Sequence, residues 1–212
     1  MSEILRIAFL HLAPVPGDLE HNRRLVETGL AAAGDLGAQW VLTPELCTCG
    51  YEFVERLGDE WIQPQPDAWT QKVQRLLAQR GMTCFLAQPE RDPQTNQCYN
   101  AVFAFGADGI LVDKHRKISV IPGAESAWAT PGTEEVAPVA TTPLKAGLLI
   151  CADAYPPTHA DRLQTQGAQI LLSPAAWCPG DYGSQWRVGT AHAGYGFAAV
   201  GVQPHRRGST AR

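Results

Sequence analysis

Three ionisable or nucleophilic residues stand where a strand is predicted to run out into a turn: Glu45, Lys117 and Cys151. Glu45 lies in VLTPELCTCGY, Lys117 in VDKHRKISVIPGAE, and Cys151 in GLLICADAYPP. Because strand ends converge on a cleft in α/β proteins, the three side chains are candidates for one site. A nucleophilic thiol needs a nearby cation to lower its pKa and a base to manage its proton. Lys117 and Glu45 are the candidates for these two roles.

Each of these residues also has an ordinary structural interpretation. Cys151 follows the apolar run 147–150, and the pattern predicts a tight turn that exposes its sulfur and offers the Ala152 N–H to an oxyanion. Taken alone, however, a cysteine beside Leu and Ile is usually a core residue. The basic run 114–117, taken alone, is typical of a solvated strand end. Glu45, taken alone, is typical of a carboxylate satisfied by backbone N–H groups. The prediction of a site depends on the three occurring together.

The elements that would position these residues follow a mixed α/β pattern, in which short apolar runs alternate with amphipathic stretches. Asp18 is a candidate helix N-cap, and Gly81 a candidate helix end. The predicted helices are 19–33, 68–80, 159–166 and 185–192. The predicted strands are 4–12, 40–43, 82–88, 101–105, 110–112, 136–140, 145–150, 170–172 and 197–202. The sequence shows no repeat or linker, so we predict one domain over 1–203 and an exposed basic tail over 204–212.

The composition excludes several classes of protein. The 212 residues are 45 % hydrophobic and 18 % charged, which excludes a disordered chain or a coiled coil. A formal net charge of −4 gives no indication of nucleic-acid binding. No segment approaches the roughly 18 apolar residues of a membrane span, and the N-terminal segment does not resemble a secretory signal. Six cysteines are too few for a disulfide scaffold, so we expect reduced thiols and a cytoplasmic location.

A family resemblance rests on the order and context of these motifs. TPELCTCGY, then HRKISVIPGAE followed by TPG, then GLLICADAYPP resemble the signatures of the carbon–nitrogen hydrolases of the nitrilase superfamily. Between them, YNAVFAFGADGIL resembles the Asn-containing hairpin that precedes the family's lysine, and GAQILLSPAAW resembles the strand after its cysteine. The resemblance extends from about residue 4 to about residue 202, which is nearly the whole chain.

The resemblance implies a four-layer α-β-β-α sandwich of the nitrilase type, with the functional residues at one edge of its two sheets. It implies that Cys151 is the nucleophile, Glu45 the general base and Lys117 the cation beside the tetrahedral intermediate. Glu125 matches the family's second, supporting glutamate, and the Ala152 backbone N–H is a further oxyanion donor. The resemblance implies neither a metal nor an organic cofactor.

The function implied by the resemblance is thiol-dependent hydrolysis of a small amide with release of ammonia. An N-carbamoyl-amino-acid hydrolase, a nitrilase and an acyl transferase remain open, so the substrate is an amide, a ureido compound or a nitrile. Tyr51, Tyr155 and Trp177 are candidate substrate contacts because they are close in sequence to Glu45 and Cys151. The resemblance also implies a homodimer or a higher homo-oligomer.

Three alternatives remain open. A papain-like hydrolase would pair Cys151 with His115, His159 or His192, although the local signature of that family is absent. A metal site on Cys47 and Cys49 would lack a second matched pair of ligands. The third alternative is a non-catalytic member of the nitrilase superfamily. Relatives generally continue beyond the strand at 197–202, so we expect a sandwich that lacks its usual last strands. The stretch 190–196 also departs from the family's Arg-Ala-x-Glu-Asn pattern.

Overall fold

The computed structural model describes residues 4–176 and 197–200, which form an α/β fold with two β-sheets. The first sheet contains, in spatial order, β1 (Ile7–Phe9), β2 (Trp40–Leu42), β3 (Thr83–Arg91), β4 (Cys98–Phe105) and β5 (Leu111–Arg116). The second sheet contains β6 (Ala146–Leu148), β7 (Ile170–Pro174) and β8 (Phe197–Val200). The helices are α1 (Leu19–Asp35), α2 (Val54–Leu57), α3 (Ala68–Arg80) and α4 (Pro157–Thr165), with a short 3₁₀-helix at Cys151–Ala154.

The strand directions follow from the connections. β1, β2 and β3 are parallel and are joined through α1 and α3, whereas β3, β4 and β5 form an antiparallel meander. The turn predicted between β4 and β5 is confirmed, since the Gly106 N–H donates to the Ile110 carbonyl at 2.8 Å. β6, β7 and β8 are all parallel, and α4 connects the first two.

Three hydrophobic clusters define the layers of the fold. The first joins alternate residues of both sheets, including Trp40 and Phe85 from one and Leu148 and Leu172 from the other. The opposite face of the first sheet packs against α1 and α3, and the opposite face of the second sheet packs against α4. The order is therefore helix, sheet, sheet, helix, which agrees with the predicted α-β-β-α sandwich.

Three helix ends are where the sequence indicated them: the starts of α1 and α3 and the end of α3. The Asp18 carboxylate accepts from the His21 N–H at 3.0 Å and caps α1. The Asp67 carboxylate accepts from the Thr70 N–H at 2.8 Å and caps α3, which ends at Gly81 with φ +64°. No helix in the described part of the chain combines the length and apolar character that crossing a membrane requires.

Several predicted elements differ from the structure or lie outside it. The strand predicted at 136–140 is wrong: Val139 makes one isolated bridge to Ala146, and the nearby Pro138 has no N–H to extend a ladder. The sequence pattern also missed α2 and the 3₁₀-helix. The helix predicted at 185–192, the end of the predicted domain at 201–203 and the predicted tail at 204–212 lie outside the described residues.

Gly109 in the β4–β5 turn provides a test of local packing. Its φ is +77°, and a Cβ at this position would lie 2.2 Å from the Gln74 carbonyl oxygen on α3. We expect Gly109→Ala to lower the free energy of unfolding by about 2–5 kcal/mol, combining left-handed strain with steric overlap. Gly37→Ala is the matched control: its φ is +73°, but its Cβ would meet open space. It should cost about 1–2 kcal/mol. Urea unfolding measures both, and equal losses would contradict the steric explanation.

Candidate active site

A buried ammonium lies between two buried carboxylates. Lys117 Nζ is 2.7 Å from Glu45 Oε1, and it is 2.8 and 2.7 Å from the two carboxylate oxygens of Glu125. The three residues are no more than 1 % exposed. Glu45 follows β2 and Lys117 follows β5, so the ends of two strands of the first sheet supply this pair. Charges buried this deeply persist only when they are paired and hydrogen-bonded.

Asn100 on β4 links the same two carboxylates. Its side-chain Nδ2 donates to Glu45 Oε1 at 2.8 Å and to Glu125 Oε1 at 2.7 Å, and its carbonyl accepts from the Lys117 N–H at 2.8 Å. Asn100 was not among the predicted site residues. The signal that could have found it is its place in the YNAVF hairpin motif directly before the lysine.

Cys151 begins the 3₁₀-helix, three positions after β6 ends at Leu148. Its φ is +47°, a left-handed conformation that costs a non-glycine residue about 1–2 kcal/mol and that occurs preferentially at functional sites. The predicted tight turn is confirmed. The predicted exposure of the sulfur is wrong, because Cys151 is 6 % exposed and packs with Ile150 and Leu172 between the sheets.

The surroundings of Cys151 favour the neutral thiol. Burial raises its pKa well above the usual value, and the Glu45 charge raises it further, whereas Lys117 and a hydrogen bond from the Ala176 backbone lower it. The effect of the cation predicted from the sequence is present but is outweighed by burial. The thiol therefore needs a base at neutral pH.

The backbone of Ala176 hydrogen-bonds to Glu45 and also affects the pKa of Cys151. The Ala176 N–H donates to Glu45 Oε2 at 2.9 Å, and a backbone hydrogen bond of Ala176 lowers the pKa of Cys151. Glu45 thus directs one oxygen to Lys117 and the other to the Ala176 N–H.

The charge on Lys117 is maintained by its neighbours. Burial alone would lower the pKa of Lys117, but the Glu45 and Glu125 carboxylates raise it well above the usual value. Burial raises the pKa of Glu125, and the Glu45 charge adds to this effect while Lys117 opposes it. The cluster therefore favours a charged ammonium in a buried site, where charges interact more strongly than they do in water.

The basic run 114–117 is not a solvated strand end. His115 Nε2 is 2.9 Å from Asp153 Oδ2, and Lys117 is buried in the cluster described above. Arg116 pairs with Glu90 and Asp92, and Lys114 also pairs with the buried Glu90. The expectation for the run taken alone is wrong because the acidic partners come from other segments. Lys114 alone of the four residues is exposed.

The predicted substrate contacts differ in how they relate to the cluster. Tyr51 is half-buried, and its ring centre is 5.8 Å from Lys117 Nζ, so it lies beside the site. Burial raises the pKa of the Tyr51 hydroxyl, and the Glu45 charge raises it further. Tyr155 is half-buried at the end of the 3₁₀-helix, where its N–H donates to the carbonyl of the buried Ala152 at 3.1 Å. Trp177 lies outside the described residues.

The histidines and cysteines of the alternative hypotheses have other surroundings. His115 contacts the Asp153 carboxylate, and His159 Nδ1 is 3.0 Å from the Asp153 carbonyl. His192 lies outside the described residues. Cys47 and Cys49 are buried in two different hydrophobic clusters. Within residues 4–176 and 197–200, no group of three or more His, Cys, Asp or Glu side chains is placed to hold a metal ion.

The role of Asn100 can be tested by an isosteric change. Asn100→Asp removes the N–H donors to Glu45 and Glu125 and buries a third carboxyl beside them. We expect a loss of at least about 2 kcal/mol of unfolding free energy at pH 8. Because the introduced carboxyl has a raised folded-state pKa, the loss should shrink as the pH falls to 5. Thermal unfolding at both pH values measures this. The exposed Asn96→Asp is the control, and equal, pH-independent losses would contradict the assignment.

The layered fold and the buried Cys, Glu, Lys and Glu cluster define an α/β protein of the nitrilase type. The family model described as Carbon-nitrogen hydrolase matches residues 6–195. The chain therefore belongs to the carbon–nitrogen hydrolase family.

Individual relatives agree with this assignment. The omega-amidase NIT3 of Saccharomyces cerevisiae is 36 % identical over 192 residues, and the match covers 84 % of this chain and 65 % of that protein. The citrullinase of Francisella tularensis is 28 % identical over 179 residues, covering 81 % of this chain and 61 % of that protein. The chain thus spans less than two thirds of the length of either relative.

A solved structure also matches. It is a mutant of the amidase from Nesterenkonia sp. AN1, which is 25 % identical, with a TM-score of 0.81 over 93 % of this chain and 76 % of that chain. That structure shows covalent addition of the acetamide moiety of fluoroacetamide at the active site cysteine of the amidase.

Proposed function

We propose that this protein hydrolyses the carbon–nitrogen bond of small carboxamides and releases ammonia. Cys151 is the nucleophile, Glu45 the general base and Lys117 the group that stabilises the oxyanion. The observation that carries the proposal is the division of the Glu45 carboxylate between two partners. Oε1 accepts from Lys117 Nζ at 2.7 Å, and Oε2 accepts at 2.9 Å from the N–H of Ala176, whose backbone hydrogen bond also lowers the pKa of Cys151.

The first half of the reaction forms a thioester. Cys151 Sγ attacks the amide carbon while its proton passes to Glu45 Oε2. The carbonyl oxygen becomes an oxyanion, which Lys117 Nζ and the Ala152 N–H stabilise. When the tetrahedral intermediate collapses, the carbon–nitrogen bond breaks and the nitrogen takes the proton held by Glu45. Ammonia leaves, and the acyl group remains on the sulfur.

The second half restores the thiol. Glu45 takes a proton from water, and the resulting hydroxide attacks the thioester carbon. The second intermediate collapses with cleavage of the carbon–sulfur bond, the acid leaves, and the proton on Glu45 returns to Cys151. An amine in place of water would give acyl transfer by the same steps. Glu125 and Asn100 take no part in bond formation, and they hold Lys117 and Glu45 in place.

The relatives support an amide substrate, and one of them favours a second candidate. An omega-amidase and an amidase are among the matches, and covalent addition at the cysteine of the latter supports Cys151 as nucleophile. The citrullinase favours a ureido compound as the alternative. In that case the same attack on the ureido carbon would release ammonia and leave a carbamoyl thioester. Tyr51, beside Lys117, is the described side chain that we propose as a substrate contact.

A substrate panel tests the proposal. Ammonia release is measured for small aliphatic amides, ureido acids and nitriles at equal concentration. We expect release to be fastest with an amide and to be accompanied by an equal amount of carboxylic acid. Faster release from ureido acids would establish the alternative. No release from any member of the panel would contradict the proposal and favour a non-catalytic member of the family.

A further inference from the structure

The carboxylate of Asp153 is buried between two segments of the site and accepts hydrogen bonds from both. Its Oδ1 accepts from the backbone N–H groups of Ile118 and Ser119, at 3.0 and 2.7 Å. Its Oδ2 accepts from the Ile150 N–H at 3.1 Å and lies 2.9 Å from His115 Nε2. Asp153 itself is 0 % exposed. One side chain thus gathers three backbone donors and one imidazole.

The three backbone donors lie within two positions of Lys117 or Cys151 in the sequence. Ile118 and Ser119 follow Lys117, and Ile150 precedes Cys151. Asp153 therefore links the segment that carries the ammonium to the turn that carries the thiol, although the two segments are more than 30 positions apart. The bond to Ile150 also closes the turn in which Cys151 adopts its φ of +47°.

The charge state of Asp153 suits this role. Burial favours the neutral acid, but the hydrogen bond and charge of His115, with the N–H groups of Ser119 and Ile150, hold the pKa of Asp153 below its usual range. An ionised carboxylate is an acceptor at both oxygens. An amide of the same shape would present N–H donors to one pair of these partners and would lose their hydrogen bonds.

We propose that Asp153, oriented by His115, is a positioning residue that sets the placement of the Cys151 thiol relative to Lys117. The inference rests on the proposed function, because it concerns the same thiol and ammonium. It adds a requirement that neither Glu45 nor Glu125 supplies. This requirement is a hydrogen-bonded link between the backbone after Lys117 and the backbone before Cys151. Misplacement of reacting groups by about 1 Å lowers the rate roughly 100-fold, so loss of this link should lower kcat.

Four variants test the proposal. Asp153→Asn weakens the link at the carboxylate itself. His115→Phe keeps an aromatic ring but removes the hydrogen-bond donor. His115→Gln keeps an N–H that can reach Asp153 Oδ2. Asp113→Asn, on the exposed face of β5, is the matched control. For each, kcat and KM for the best amide, the alkylation rate of Cys151 by iodoacetamide from peptide mass spectrometry, and thermal unfolding are measured.

We expect Asp153→Asn and His115→Phe to lower kcat about 10- to 100-fold with KM changed less than about 3-fold. The alkylation rate of Cys151 should fall with kcat, because both need the same placement of thiol and base. His115→Gln should recover most of the loss, and Asp113→Asn should match the wild type. Rescue by His115→Gln is the outcome that a merely space-filling histidine would not give.

The proposal is overturned if folded Asp153→Asn and His115→Phe keep wild-type kcat and alkylation rates. It is also overturned if Asp153→Asn does not fold while His115→Phe is unaffected, since the carboxylate would then serve the fold alone. Alkylation needs no turnover. If the wild type hydrolyses no amide, the proposed function fails, while slower alkylation confined to these two variants still supports the positioning role.

Discussion

Replacing Cys151 with alanine should reduce amide hydrolysis by at least about 10³-fold and leave a folded protein. In the proposed mechanism, Sγ is the atom that forms the new bond to the amide carbon, and neither Lys117 nor Glu45 can supply an equivalent leaving group for the second half of the reaction. A 10³-fold loss corresponds to about 4 kcal/mol of transition-state stabilisation.

The fold should tolerate this substitution for a structural reason. Alanine keeps the Cβ of cysteine, so the strain at φ +47° is unchanged, and only the sulfur is removed from the core between the sheets. Loss of one buried group of this size costs about 1 kcal/mol. For a chain of this length, that corresponds to a fall in Tm of about 2–4 °C.

The matched control is Cys98→Ala, which removes a sulfur from another residue with little exposed surface, in a different hydrophobic cluster. Its ammonia release should equal that of the wild type. Mass spectrometry of the rapidly quenched wild type should also show an acyl group on Cys151 and not on Cys98. The assignment of the nucleophile is contradicted if Cys151→Ala retains a tenth or more of the wild-type rate.

The sequence was informative wherever function is tied to a local pattern. Glu45, Lys117 and Cys151 each stand where the sequence predicts that a strand runs out into a turn, and the structure brings Lys117 and Glu45 to 2.7 Å and gives Cys151 a strained turn. The α1 cap at Asp18 and the α3 end at Gly81 were predicted for the same reason, because capping depends on residues within one helical turn.

What the sequence could not show depends on long-range pairing. Asn100 reaches both carboxylates because the antiparallel β4–β5 register pairs Ala101 with Arg116 and so sets Asn100 beside Lys117. Asp153 accepts from donors in a segment more than 30 positions away. The sequence also could not predict the direction in which the pKa of Cys151 is shifted. The motifs indicated a nearby lysine, but they did not indicate the burial of the thiol that outweighs the effect of this lysine.

Replacing Lys117 with methionine should give the largest loss of stability among single changes in the site. It leaves the buried Glu45 and Glu125 carboxylates without their shared cation. Breaking a buried ion pair from one side costs about 3–5 kcal/mol, which for this chain length lowers Tm by about 6–20 °C. Amide hydrolysis should also fall at least about 100-fold, because the oxyanion loses its cationic partner.

The loss of stability in Lys117→Met should depend on pH. Without the ammonium, Glu125 loses the partner that lowers its pKa, so its folded-state pKa lies further above the unfolded value. Stability from such groups is present below the unfolded pKa and is lost as the pH rises through the folded pKa. Burial and Glu45 already raise the pKa of Glu125 when Lys117 is present. The gap between Lys117→Met and the wild type should therefore be small near pH 4.5 and large at pH 8.

Lys72→Met is the control, since Lys72 Nζ also lies 2.7 Å from a carboxylate, that of Glu27, but its side chain is 61 % exposed. An exposed pair contributes at most about 1 kcal/mol, so this variant should stay close to the wild type at every pH and should keep full activity. Chemical unfolding from pH 4.5 to 8 measures both variants. If Lys117→Met lowered the unfolding free energy as little as Lys72→Met does, the stability of the buried cluster would not depend on the charge of Lys117.

Combining Lys117→Met with Glu125→Gln separates stability from catalysis. The second change removes one of the two stranded charges and keeps its shape, so the double variant should recover a large part of the lost unfolding free energy. Hydrolysis should remain lost, because Cys151 and Glu45 would still act without a cation for the oxyanion. Recovery of both properties together would show that Lys117 serves only to neutralise Glu125. Recovery of stability alone would place the ammonium of Lys117 in the reaction itself.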